Sequence, residues 1–85
     1  MRADICDPND EMAVARFREA LRRLGAQFND KTWAIGVNLY HLSIGDEQLL
    51  VFSDAWSLDI EGSDDLVKRV LKEYAEAQQK RQMKP

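Results

Sequence analysis

Cys6 is the only thiol in this chain and His41 the only imidazole, so nucleophilic or proton-transfer chemistry would have to draw on them. A thiolate nucleophile needs a base within hydrogen-bonding reach and usually a third group that orients it. Cys6 lies in a segment without periodicity, and His41 lies where the apolar parity of a strand changes. A packed or surface histidine and a solitary thiol are therefore expected. The carboxylates Asp54, Asp59, Glu61, Asp64 and Asp65 invite a divalent-cation reading, but their spacing has no glutamate at the twelfth position of a ligand run. Asp59 and Glu61 share one face of a strand, and charges that discourage edge-to-edge pairing explain them equally well. An enzyme working through His41 or through Asp59 and Glu61 is the weakest of the functional alternatives.

No glycine-rich phosphate loop, nucleophile elbow, metal-binding Cys/His spacing or dinucleotide fingerprint occurs. The expectation is accordingly no cofactor, no metal, no catalytic residue and no small-molecule ligand. A second constellation is basic: Arg16, Arg18, Arg22, Arg23, Lys68, Arg69 and Lys72 could form a stripe along a phosphate backbone if two helices share a face. The acidic pI of about 5.0 and the lack of aromatics interleaved with that stripe argue against nucleic acid.

The elements that would position these groups follow from periodicity. At 85 residues the chain is one domain with one modest core, spanning 1–85 and ordered over about 7–78, with 1–6 and 79–85 flexible. Asp7-Pro8 reads as a helix start, and Val14, Phe17, Leu21 and Leu24 recur at helical spacing before Gly25. Ala26–Thr32 reads as a connector. From Trp33 the period becomes two, then switches parity at Tyr40. Gly45-Asp46 suits a two-residue hairpin turn, Gln48–Ser53 a central strand, and Trp56–Glu61 a strand with one wet face. Ser63 can cap a second helix whose stripe is Leu66, Val67, Val70, Leu71, Tyr74 and Ala77. The fold class is α+β in the order α-β-β-β-α, a three-stranded antiparallel meander packed with two principal helices.

That order resembles the double-stranded-RNA-binding domains, which hold phosphates with a lysine-rich start to the second helix and a Pro-His-bearing loop. Here those places carry Ser63-Asp64-Asp65-Leu66-Val67 and Gly45-Asp46-Glu47, whose carboxylates repel phosphate. The segment from Phe52 to Gly62 is also similar to stretches of small bacterial proteins, a likeness that carries no activity.

Charge divides along the chain. The net of −3 combines −7 over residues 29–65, where only Lys31 opposes eight carboxylates, and −2 over residues 1–10 with +2 over residues 11–28 and +4 over residues 66–85. Helices are basic and the sheet acidic. No unbroken apolar run is longer than Leu49–Phe52, far short of the roughly 20 residues that span a bilayer. The charged opening Met-Arg-Ala-Asp has no apolar signal region, and a lone cysteine suits a reducing compartment, so the cytosol is expected.

Two-residue turns at Gly45-Asp46 and Asp54-Ala55 would pair Leu42 with Leu49, Tyr40 with Val51, Leu58 with Val51, and Ile60 with Leu49. One face then carries Tyr40, Leu42, Leu49, Val51, Trp56, Leu58 and Ile60. The other carries Trp33, Ile35, Val37, Leu39, His41, Leu50 and Phe52, next to Ser57 and Asp59. Both faces are apolar, which soluble monomers rarely leave uncovered. Either the helices take opposite faces, or the N-terminal segment or residues 26–32 fold over, or the second face binds a partner or a second copy. Val37, Leu39, Leu50 and Phe52 are the partner-binding candidates. The expected function is a small non-catalytic protein–protein interaction or accessory module.

Overall fold

The computed structural model describes residues 1–34 and 36–83, with side chains for all of these except Ala34 and residues 78–83. The order is β1 (Arg2–Cys6), α1 (Glu11–Arg23), β2 (Gln27–Ala34), β3 (Val37–Ile44), β4 (Glu47–Ser53), β5 (Leu58–Glu61) and α2 (Asp64–Met83). All pairings are antiparallel in one five-stranded sheet, β1-β5-β4-β3-β2. The α+β class stands; the three-stranded meander does not. The meander is its centre, and β1 and β2 are added one at each edge.

Both missed strands are irregular, which hides their period. Between β1 and β5 the register shifts between Asp4 and Cys6, and between β2 and β3 it shifts between Phe28 and Asp30. An inserted residue breaks the alternation by which a strand is recognised. The run from Trp33 onward is in fact two strands. They close at the Ala34–Val37 pair, where Gly36 has φ +75°, a conformation that costs other residues a steric clash at Cβ. The expected face of Ile35, like the expected flexibility at Lys84 and Pro85, falls outside the described residues.

The β3–β4 register is as expected, Tyr40 opposite Val51 and Leu42 opposite Leu49, across a turn with Gly45 at φ +61°. The β4–β5 register is displaced by two: Val51 faces Ile60 and Ser53 faces Leu58. The reason lies in the connection. The Asp54 carboxylate accepts from the Trp56 and Ser57 amides, each at 2.7 Å, which gathers Asp54–Ser57 into a four-residue turn. A shift of two keeps every side chain on its face but removes Trp56 from the strand, leaving it 85% exposed.

Helix α1 begins later than Asp7-Pro8 suggests. Asp10 is the N-cap, its carboxylate accepting from the Ala13 amide at 3.1 Å, while Asp7 holds the preceding turn through the Asn9 amide at 2.8 Å. At its end the Gly25 amide donates to the Arg22 carbonyl and the Ala26 amide to that of Leu21, two otherwise orphaned acceptors. Ser63 caps α2 as expected, its Oγ accepting from the Leu66 amide at 3.2 Å and donating to Glu47 Oε1 at 2.6 Å.

Phe17 of α1 and Leu66, Val67 and Val70 of α2 join Ile44, Leu49, Val51, Leu58 and Ile60 in one buried cluster. Both helices therefore lie on the same sheet face, the one carrying Leu42, Leu49, Val51 and Ile60. No described helix is long and apolar enough to cross a membrane.

Candidate partner-binding surfaces

The face opposite the helices carries the four sequence candidates side by side. Leu39 of β3 is directly across from Phe52 of β4, Leu50 lies two residues before Phe52, and Val37 two before Leu39. All four are half-buried, and no described helix lies over them. Trp33, expected among them, is instead on the helix side: the tight turn that closes at the Ala34–Val37 pair sets it opposite Asn38, on the parity of Tyr40.

The borders of this face are polar. On the β5 side the Arg2 guanidinium sits 4.2 Å from the centre of the Phe52 ring, and it donates to Asp59 Oδ2 from Nε at 3.2 Å and from Nη2 at 3.1 Å. Asp4 is directly opposite Asp59. Hydrogen bonding to Asp59 holds the Asp4 carboxyl above its ordinary range, with burial and the charge of Asp59 acting in the same direction. Asp59 Oδ1 is buried with no hydrogen-bond partner. On the β2 side Asp30 pairs across from His41, whose Nε2 is 3.2 Å from Thr32 Oγ1.

Cys6 and His41 do not meet in this geometry. Cys6 packs against the helix-side core on β1, and His41 is on the open side of β3, three strand spacings or roughly 14 Å away. Burial pushes the Cys6 thiol up, and the charges of Asp10, Asp4 and Asp7 add to this against a smaller opposing effect of Arg16. A thiol so placed is a poor nucleophile. Asp59 and Glu61 do share a face, but no group of three or more His, Cys, Asp or Glu able to hold a metal exists among the described residues. Asp54 is spent in its turn: the Trp56 and then the Ser57 amide hold its carboxyl below the usual range.

The basic constellation is largely engaged within the molecule. Arg22 and Arg23 both bind Glu19, at 2.6 and 3.1 Å, and Arg23 also reaches Glu73 at 3.5 Å. Arg69 pairs with Glu47 at 3.8 Å, and the Arg16 guanidinium lies 5.9 Å from the Tyr74 ring centre. Of the seven, Arg18, Lys68 and Lys72 have no such partner among the described residues.

A cleft of about 390 Å³ opens between α1 and the β2–β3 hairpin, walled by Val14, Phe17 and Leu21 on one side and by Phe28, Tyr40 and Leu42 on the other. Phe28 is 56% exposed and meets Tyr40 edge-on, with ring centres 6.4 Å apart. Trp33, on the same side of β2, is 69% exposed. The signal was Phe28 and Trp33 flanking a polar stretch, which the bulge at Asn29 made look like a connector.

No family model, no curated protein and no solved structure matches this chain.

Proposed function

We propose that this protein is a non-catalytic binding module that receives a protein partner on the open sheet face, at Val37, Leu39, Leu50 and Phe52. The observation that carries the reading is the placement of both helices on one side of the sheet. Contiguous apolar groups at the centre of β3 and β4 are thereby left without a covering element, the usual mark of an interaction surface.

Two further features support a face rather than an edge as the contact. Both edge strands are bulged and carry charges, Arg2 and Asp4 on β1 and Asp30 and Lys31 on β2, which discourages strand addition. The face also has a preferred sign. Among the described residues Asp4, Asp59, Glu61 and Asp30 border it against Arg2, so a second copy docked face to face would bring like charges together. A different protein with a basic border is the better complement.

Photo-crosslinking residues placed singly at Leu39, Leu50 and Lys68 test this in the cell of origin. A discrete adduct from positions 39 and 50 and none from 68 supports the reading. No adduct from the sheet positions, or the same adducts from all three, defeats it.

A further inference from the structure

The geometry points to a second and independent binding site: the cleft between α1 and the β2–β3 hairpin receives an amphipathic helix of another protein whose apolar stripe is flanked by carboxylates. Helices α1 and α2 contribute to a core built on β4, β5 and the end of β3, so the helix layer stops short of the far edge of the sheet. Beside α1 the layer is missing. What is left there is apolar and aromatic, with Phe28 and Trp33 more than half exposed, whereas buried partners would be expected for rings of that size.

The shape suits a helix. Along α1 the wall is made by Val14, Arg18 and Leu21, spaced four and three apart over about 10 Å above the buried Phe17, a ridge against which another helix packs at its usual 8–10 Å separation. The floor is sheet, as in other grooves that accept an apolar helix face. Exposed ring surface beyond the cleft, at Trp33, continues the contact along β2.

Charge then selects the occupant. Arg18 borders the cleft on the α1 side and has no carboxylate within ion-pair distance among the described residues. Lys31 stands on the opposite border, on the same side of β2 as Phe28. Its ammonium is 5.5 Å from the Tyr40 ring centre and is likewise unpaired by any described carboxylate. Two unneutralised cations on either side of an apolar floor favour a helix with acidic flanks. A second copy of this chain does not supply one. The apolar faces of its helices are consumed by its own core, at Phe17 and Ala20 in α1 and at Leu66, Val67 and Val70 in α2.

The test uses two synthetic amphipathic peptides about four turns long, with the same leucine stripe and either glutamates or lysines beside it, titrated into the full chain. Calorimetry gives affinity and amide shifts give the place. The glutamate peptide is expected to saturate, with the largest shifts at Phe28, Tyr40 and Leu42. The double variant Arg18→Glu, Lys31→Glu should weaken it at least about tenfold and admit the lysine peptide. Phe28→Ala should weaken it as well, and all these positions are exposed enough to change without unfolding the chain. Leu39→Asp, on the other face, should leave this binding intact, which separates the cleft from the open-face reading. Equal affinity for the two peptides, no saturation with either, shifts centred on Leu39 and Leu50, or a self-dimer abolished by the charge reversal would each overturn the proposal.

Discussion

Asp4 and Asp59 face each other directly across the β1–β5 ladder, two carboxylates in adjacent strands on the side of the sheet that no helix covers. Arg2 satisfies Asp59 Oδ2, while Oδ1 is buried without a hydrogen-bond partner. Like charges directly opposite destabilise an antiparallel pair, and one retained proton relieves them. The Asp4 carboxyl is raised in the fold, so its favourable contribution is complete below the ordinary pKa of 3.8 and is lost as pH climbs through the folded value. Asp4→Asn should therefore raise the urea midpoint at pH 7 and make little difference at pH 3. An equal gap at both pH values would remove the carboxyl pair as its cause.

Glu19 runs the other way. Hydrogen bonding to Arg22, with Arg23 adding to it against some burial, holds its carboxyl down to about 2. A depressed pKa contributes stability that is present above the ordinary value of 4.5 and lost as pH falls toward 2. Glu19→Gln should thus lower the midpoint at pH 7 and converge with the parent at about pH 2. Because the pair is exposed, the effect should also shrink in high salt.

Leu49 and Leu50 are neighbours in sequence with opposite surroundings, the first 0% exposed under the helices and the second half-buried on the open face. Leu49→Ala should cost about 2–5 kcal/mol in urea unfolding, through lost burial and a residual cavity. Leu50→Ala should cost about 1 kcal/mol. Comparable losses would mean that the two faces are assigned wrongly.

Gly36 makes the turn that separates β2 from β3, at φ +75° with open space where a Cβ would stand. Gly36→Ala should destabilise by about 1–2 kcal/mol from backbone strain alone, and Gly36→Asn by less, since asparagine tolerates this region better. Chemical denaturation of the two variants side by side measures the difference; an alanine variant as stable as the parent would contradict the turn.

Arg2 is stacked on the open apolar group, its guanidinium 4.2 Å from the centre of the Phe52 ring. Arg2→Ala should cost only about 0.5–1 kcal/mol, in line with an exposed cation–π contact. It should nevertheless increase binding of an environment-sensitive apolar dye, because Phe52 loses its cover. If dye binding is unchanged while stability drops by more, Arg2 acts mainly through Asp59 and not as a lid on the ring.

Local pattern alone settled the parts of this protein that obey a regular period. The apolar stripes of both helices, the Ser63 cap, the Gly45-Asp46 turn and the pairing of Leu42 with Leu49 follow from side-chain spacing and turn chemistry, which act over a few residues. The same spacing placed Val37, Leu39, Leu50 and Phe52 on one face, because the β3–β4 register is the one the Gly45-Asp46 turn dictates. Tertiary structure decided the rest. Arg2–Cys6 and Gln27–Ala34 become strands only because β5 and β3 present free edges to them, and each accommodates a bulge that no periodicity announces. That both helices share one face is likewise a matter of packing, since the sheet offers apolar surface on either side and the choice depends on how α1 and α2 meet through Phe17, Leu66 and Val70. The cleft beside α1 exists only as a consequence of that choice, and so do the exposed rings of Phe28 and Trp33 that line and extend it.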